Sequence, residues 1–170
     1  MTTTDVGPGP FRVCFVCSGN ICRSPTAEVV LRSYVADAGL DGLVEVESAG
    51  TGNWHVGDPA DRRTVRTMAE AGYDGSAHRA RQFEASWFAR LDLVLALDAT
   101  HLADLRALAP DSDARDKVKL LRSFDPEAVR AGTLDVDDPF YGGVEDFDRV
   151  LVEVEAACAG LVTYLSRVAS

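Results

Sequence analysis

At 170 residues, 46% of them hydrophobic, the chain is long enough for one domain with a real core, and one domain is the default expectation. Its 17 Lys and Arg stand against 27 Asp and Glu, and the net charge of -10 disfavours nucleic acid or an anionic membrane surface as a partner, so any anionic ligand has to be captured locally. No stretch approaches the ~18 consecutive apolar residues of a membrane span, and the opening MTTTDVGPGP lacks the basic start and apolar run of an export signal, so residues 1–10 read as a flexible leader, residues 11–170 as the domain, and the cytoplasm as the expected location.

In chain order, FRVCFV at 11–16 is a short apolar run rich in strand formers, bounded by Pro10 and a Ser-Gly-Asn turn. It predicts a buried strand. Ser24-Pro25 then supplies an N-cap and a first-turn proline, and Ala27, Val30, Leu31, Tyr34, Val35 and Ala38 recur at helical spacing until Gly39. LVEVES at 43–48 alternates like a strand, and a helix is expected over 61–71, ended by Gly72. LDLVLAL at 91–97 is a third strand, 100–108 a helix before Pro110, KVKLL at 117–121 a fourth strand, and 146–168 a final helix burying Phe147, Val150, Leu151, Val154, Leu161 and Leu165. This alternation implies an α/β fold: a four-stranded parallel sheet with helices on both faces. Two long connections interrupt it, at 75–90 with a basic HRAR segment and at 122–144 ending in DVDDPFYGG, and loops of that length are often functional.

Four cysteines, at 14, 17, 22 and 158, are too few and three of them too crowded for a disulfide framework. Cys17-Ser18-Gly19-Asn20-Ile21-Cys22-Arg23-Ser24 lies between the first strand and first helix, at the carboxyl edge of the expected sheet, where open α/β folds bind ligands. A loop of small and turn-forming residues can curl so that its N–H groups converge, and the helix start adds its positive dipole end; the result is an anion cradle. A thiol at the start of the cradle, facing a guanidinium at its end, is favoured as the nucleophilic thiolate. Arg23 presents a planar fork suited to two oxygens of a phosphoryl group. Cys17 and Arg23 are therefore candidate nucleophile and clamp.

The run VCFVCSGNICRSPTAE, with SAGTGNWHVG at 48–57, AHRARQF at 77–83 and DDPFYGG at 137–143, resembles the low-molecular-weight protein tyrosine phosphatases over nearly the whole chain. The resemblance implies that Cys17 attacks phosphorus, that Ser18, Gly19, Asn20, Ile21, Cys22, Arg23 and Ser24 hold the phosphate, and that Asp138 is the general acid. From its loop alone, Asp138 is one of several carboxylates. The resemblance further implies that Ser24 hydrogen-bonds the thiolate, that Asn20, with His78 as partner, keeps the shape of the loop, and that Trp54, Phe140 and Tyr141 are aromatic walls selecting phosphotyrosine. It also implies a reversible Cys17–Cys22 disulfide, whereas Cys14 and Cys158 read as core packing. Phosphotyrosine proteins are the expected substrates and inorganic phosphate the product, with no metal or organic cofactor and a monomeric state. Substrates with basic flanks suit the acidic surface. Competing readings are a Cys14-x-x-Cys17 redox pair, a cysteine metal site, an arsenate reductase, for which residues 78–98 offer no relay cysteine, and a non-catalytic phosphate-binding module.

Overall fold

A computed structural model describes residues 9–169, so the leader expected over residues 1–10 lies almost wholly outside the described residues. Strands β1 (Phe11–Cys17), β2 (Val44–Gly50), β3 (Leu93–Ala96) and β4 (Val118–Leu120) alternate with helices α1 (Arg23–Asp37), α2 (Arg62–Glu70), α3 (Ala99–Leu108), α4 (Ser112–Asp116), α5 (Pro126–Ala131) and α6 (Val144–Val168). All strand pairs are parallel and the sheet order is β2-β1-β3-β4. Chain order reverses between β1 and β3, which makes the crevice beyond their carboxyl ends the natural ligand position.

The two-residue period of the strands divides the core. Val13, Phe15 and Cys17 of β1, with Leu93 and Leu95 of β3, face α1 and α6, while Cys14, Val16, Val94 and Ala96 face the opposite side. There they meet Phe83, Phe88 and Leu105, so each face carries its own apolar layer. Phe15, Leu95, Leu161 and Leu165 are fully buried, each removal of such a side chain from water contributing roughly 1.5–3 kcal/mol. Cys14 and Cys158 sit in these layers, as read from the sequence. The expected inward face of the last helix is also observed, with all six of its residues buried.

Several boundaries differ from expectation. The β4 strand is shorter than 117–121, because Lys117 caps α4 and Leu121 opens a 3-10 turn over Leu121–Phe124. Helices α4 and α5 interrupt stretches read as loop. Asp125 caps α5 through the Glu127 amide, Pro126 fills its first turn, and Gly132 ends it in the left-handed region at φ 71°. Helix α1 begins at Arg23 with Cys22 at the N-cap position, so Ser24 is not the N-cap; its hydroxyl is used elsewhere.

Candidate active site

The connection between β1 and α1 is turned so that its carbonyls face outward. Thr51 N donates to Cys17 O (2.8 Å), Gly52 N to Ser18 O (3.0 Å), Asp61 N to Ile21 O (2.9 Å) and the Thr26 hydroxyl to Cys22 O (2.8 Å). The amides consequently face the other way: among the described residues, none of the backbone N–H groups from Ser18 to Ser24 donates to a protein acceptor. A run of convergent donors at a helix start is an anion nest. Asn20 makes the curl possible by taking a left-handed backbone, φ 59°. Gly50 at the end of β2 lets the loop close on it, since a Cβ there would stand 2.6 Å from Ser18 O.

Asn20 is fully buried and holds the loop from below. Its Nδ2 donates to the hydroxyls of Ser24 (2.7 Å) and Ser48 (2.9 Å), and its Oδ1 accepts from Arg81 N (2.9 Å). His78 Nε2 donates to Asn20 O at 2.6 Å, leaving Nδ1 3.9 Å from the Glu28 carboxylate. Because Asn20 occupies a lone pair of Ser24 Oγ, the Ser24 proton is left for Cys17 Sγ at 2.9 Å, with Ala49 O a longer alternative at 3.4 Å. The expected supports Asn20, Ser24 and His78 are thus brought together beneath Cys17.

Arg23 is 4% exposed. Its NH1 donates to Asp98 Oδ2 (2.8 Å) and Val136 O (2.9 Å), and its NH2 lies 3.8 Å from Asp138 Oδ2. One arm of the fork is therefore anchored, leaving Nε and NH2 to meet a ligand. Asp138 is half exposed, with Oδ1 accepting from Phe140 N at 3.1 Å. A cleft of about 250 Å³ is lined by Cys17, Ser18, Gly19, Ile21, Cys22 and Arg23 on its floor and by Trp54, His55, Asp138, Phe140 and Tyr141 above. The aromatic walls are open: Trp54 is 70% exposed and Tyr141 94%, the latter resting edge-on against Phe140 with centroids 4.9 Å apart. A larger depression of about 750 Å³ along β2 is lined by ion-paired groups such as Arg32 with Glu28, and no cysteine lines it.

Burial pushes the Cys22 thiol up to about 12, against a hydrogen bond from Thr64, so it stays protonated near neutrality. All four cysteines are free thiols. Among the described residues, no group of His, Cys, Asp and Glu is arranged to hold a metal ion.

Sequence reasoning missed Asp98 and His101. Asp98 lies two residues beyond the end of β3, caps α3 through the His101 amide (3.0 Å) and grips Arg23 with its other oxygen. Burial opposes its ionisation, but the His101 group and Arg23 prevail and hold it below the ordinary carboxylate range. The available signal was position: Asp98 lies just past the carboxyl end of the strand that the topology places beside β1, at the reversal of chain order.

A sequence profile described as low molecular weight phosphotyrosine protein phosphatase matches residues 12–170. The low molecular weight protein-tyrosine-phosphatase of Streptomyces coelicolor is 60% identical over 152 residues, 89% of this chain and 92% of the relative. Low molecular weight protein-tyrosine phosphatase A of Mycobacterium bovis is 46% identical over 154 residues, 89% of this chain and 90% of the relative. Among solved structures, a protein tyrosine phosphatase from Entamoeba histolytica with Hepes in the active site superposes with a TM-score of 0.87 at 32% identity, over 92% of this chain and 97% of that one. Vibrio vulnificus Wzb in complex with benzylphosphonate does so with a TM-score of 0.77 at 28% identity, over 92% and 100%.

Proposed function

The chain belongs to the low molecular weight phosphotyrosine protein phosphatase family, and from that premise we propose that it hydrolyses phosphotyrosine on proteins through a phosphocysteine at Cys17. In the first step the Cys17 thiolate attacks phosphorus in line, a P–S bond forms, and the P–O bond to the phenol breaks while Asp138 gives its proton to the leaving oxygen. In the second step Asp138, now a carboxylate, takes a proton from water, whose oxygen attacks phosphorus as the P–S bond breaks. Inorganic phosphate leaves, and the Ser24 hydroxyl stabilises the departing thiolate. Charge on the equatorial oxygens is met by Arg23 and the loop amides of Ser18, Gly19, Asn20, Ile21 and Cys22.

The observation that carries this reading is the thiol of Cys17 on the floor of the nest, 2.9 Å from a hydroxyl whose own oxygen is already filled by Asn20. Trp54, Phe140 and Tyr141 are assigned to the phenyl ring, a role supported by their place around the cleft and by the benzylphosphonate held by the Vibrio vulnificus protein. Phosphorylated proteins are the substrates of the family; restriction to tyrosine, a monomeric state, a cytoplasmic location and the absence of a cofactor belong to the proposal. None of the helices described is long and apolar enough to cross a membrane.

The test is steady-state hydrolysis of an aryl phosphate across pH 5 to 8, without added metal, by the wild type, Cys17→Ser and Asp138→Ala. Turnover abolished by the first change and cut by about 10²-fold or more by the second is the expected result. Full activity in Cys17→Ser removes the nucleophile assignment. Arsenate reduction without phosphatase turnover would instead favour the reductase.

A further inference from the structure

The first turn of α3 touches both ends of the phosphate loop. At the far end Asp98 Oδ2 accepts from Arg23 NH1 at 2.8 Å; at the near end His101 Nε2 lies 2.8 Å from the hydroxyl of Ser18, the residue after Cys17. The same turn also receives the segment carrying Asp138, because Ala99 N donates to Asp135 Oδ1 (2.9 Å) and Val136 N to Leu97 O (2.8 Å). His101 is 1% exposed, and its Nδ1 is buried without a hydrogen bond, 3.2 Å from Asp98 Oδ1 but off the line of one. A deep, polar ring with one nitrogen spent on a loop hydroxyl is costly to bury for packing alone.

We propose that His101 is a positioning residue for phosphoryl transfer: its ring fixes the Ser18 hydroxyl at the near end of the phosphate cradle, opposite the end where Asp98 holds Arg23, and so sets the width of the cradle. The inference rests on the assignment of the Cys17–Arg23 loop as that cradle. Burial and the Arg23 charge hold the ring below the ordinary histidine range, against the carboxylates of Asp98, Asp104 and Asp138, so it works as a neutral imidazole. The Asp98 oxygen draws the single ring proton to Nδ1, which leaves Nε2 as the acceptor of the Ser18 proton. Ser18 is thereby turned toward α3 while its amide stays in the nest. Asp98, braced on one side by the His101 amide, presents its other oxygen to Arg23 at a constant angle.

A loop held at both ends matters most when the phosphoryl group flattens in the transition state, so the loss falls on kcat more than on KM. Aryl phosphate hydrolysis is measured for the wild type, His101→Ala, His101→Gln, Ser18→Ala and the His101→Ala/Ser18→Ala pair, with Cys17→Ser as the control on the underlying assignment. His101→Ala is expected to lower kcat by about 10- to 30-fold with KM within about threefold, and the pair should lose little more than His101→Ala alone. His101→Gln, whose amide reaches the place of Nε2, should regain most of the activity. Should His101→Ala not fold, Ser18→Ala removes only the hydroxyl and must by itself lower kcat by about threefold or more. Losses that multiply in the pair, or wild-type kcat in either single variant with an inactive Cys17→Ser, overturn the role of His101 and leave the phosphatase reading intact. An active Cys17→Ser overturns both.

Discussion

Gly50→Ala puts the bracing of the phosphate loop to a sharp test. The added methyl would lie 2.6 Å from Ser18 O and 3.2 Å from both Asn20 N and Gly19 C. Non-bonded contacts are comfortable near ~3.5 Å, so something has to retreat by roughly 0.5–1 Å. The strand cannot back away, because Gly50 N donates to Arg81 O (2.8 Å) and Gly50 O accepts from Phe83 N (2.7 Å) on its other side. The loop therefore moves, and with it the amides proposed to meet the phosphoryl oxygens. A misplacement of about 1 Å can cost about 10²-fold in rate, so kcat should fall by roughly 10- to 100-fold. Overpacking of this kind costs about 1–3 kcal/mol of stability, a drop of roughly 3–10 °C in Tm for a chain of this size. Gly42→Ala is the matched control, since a methyl there meets nothing within 4 Å. Aryl phosphate turnover and a thermal melt are read on all three proteins. A Gly50→Ala protein with kcat within twofold of wild type and an unchanged Tm would refute the view that β2 braces the loop.

Asn20→Asp keeps size and backbone preference but replaces two amide donors with an acceptor beneath the nest, and kcat/KM should fall by about 100-fold or more; a loss below about tenfold would show that Asn20 does not order the loop. In a Cys17→Ser protein, native-state alkylation followed by intact mass should label no cysteine at pH 7.5, because Cys14 and Cys158 are fully buried and burial raises the Cys22 thiol above the ordinary cysteine range. Gly160 packs against the backbone of Phe124, so Gly160→Ala should cost about 1–3 kcal/mol in chemical denaturation while leaving KM unchanged. With a net charge of -10, KM for a phosphopeptide with basic flanks should rise with salt; a KM indifferent to salt would discard long-range attraction.

The first two strands and the long helices were legible because each is a run of one periodicity with Gly or Pro at one end or both, and the last two strands because each is a short apolar run between charged residues. Helix α5 was legible too and was passed over: Asp125, Pro126 and Gly132 form a cap, a first turn and a left-handed stop within a segment dominated by charge. The position of Ser24 was misread for a physical reason. Ser-Pro before an apolar face is a good N-cap signal, but here the helix starts earlier and the hydroxyl satisfies a thiol rather than an amide. Cys17 and Arg23 could be read because they bracket one short loop, whereas the role of Asn20 came from the family resemblance. Asp98 and His101 could not be found from local pattern, since their meaning arises only when β3 lies beside β1.

The charge balance of the site explains why so much of the molecule is spent on shaping backbone. Arg23 is the one cation on the cleft floor, yet it is matched by Asp98 at 2.8 Å and approached by Asp138 at 3.8 Å. These three side chains together carry no surplus positive charge while both carboxylates are ionised, in a protein that is acidic overall. On the proposed function, a dianionic phosphate is drawn by the amides from Ser18 to Ser24 and by the start of α1, whose partial charges act at contact range in a partly desolvated cleft. Partial charges of this kind act only when aimed. Every outward carbonyl that is tied down, by Thr51, Gly52, Asp61, Thr26 and His78, aims the neighbouring amide inward. On that reading, residues outside the phosphate contacts govern how the anion is held. Asn20→Asp and Gly50→Ala should accordingly weaken inorganic phosphate as a competitive inhibitor, the second without altering the formal charge of the floor. An unchanged inhibition constant in Gly50→Ala would mean that the guanidinium alone captures the anion.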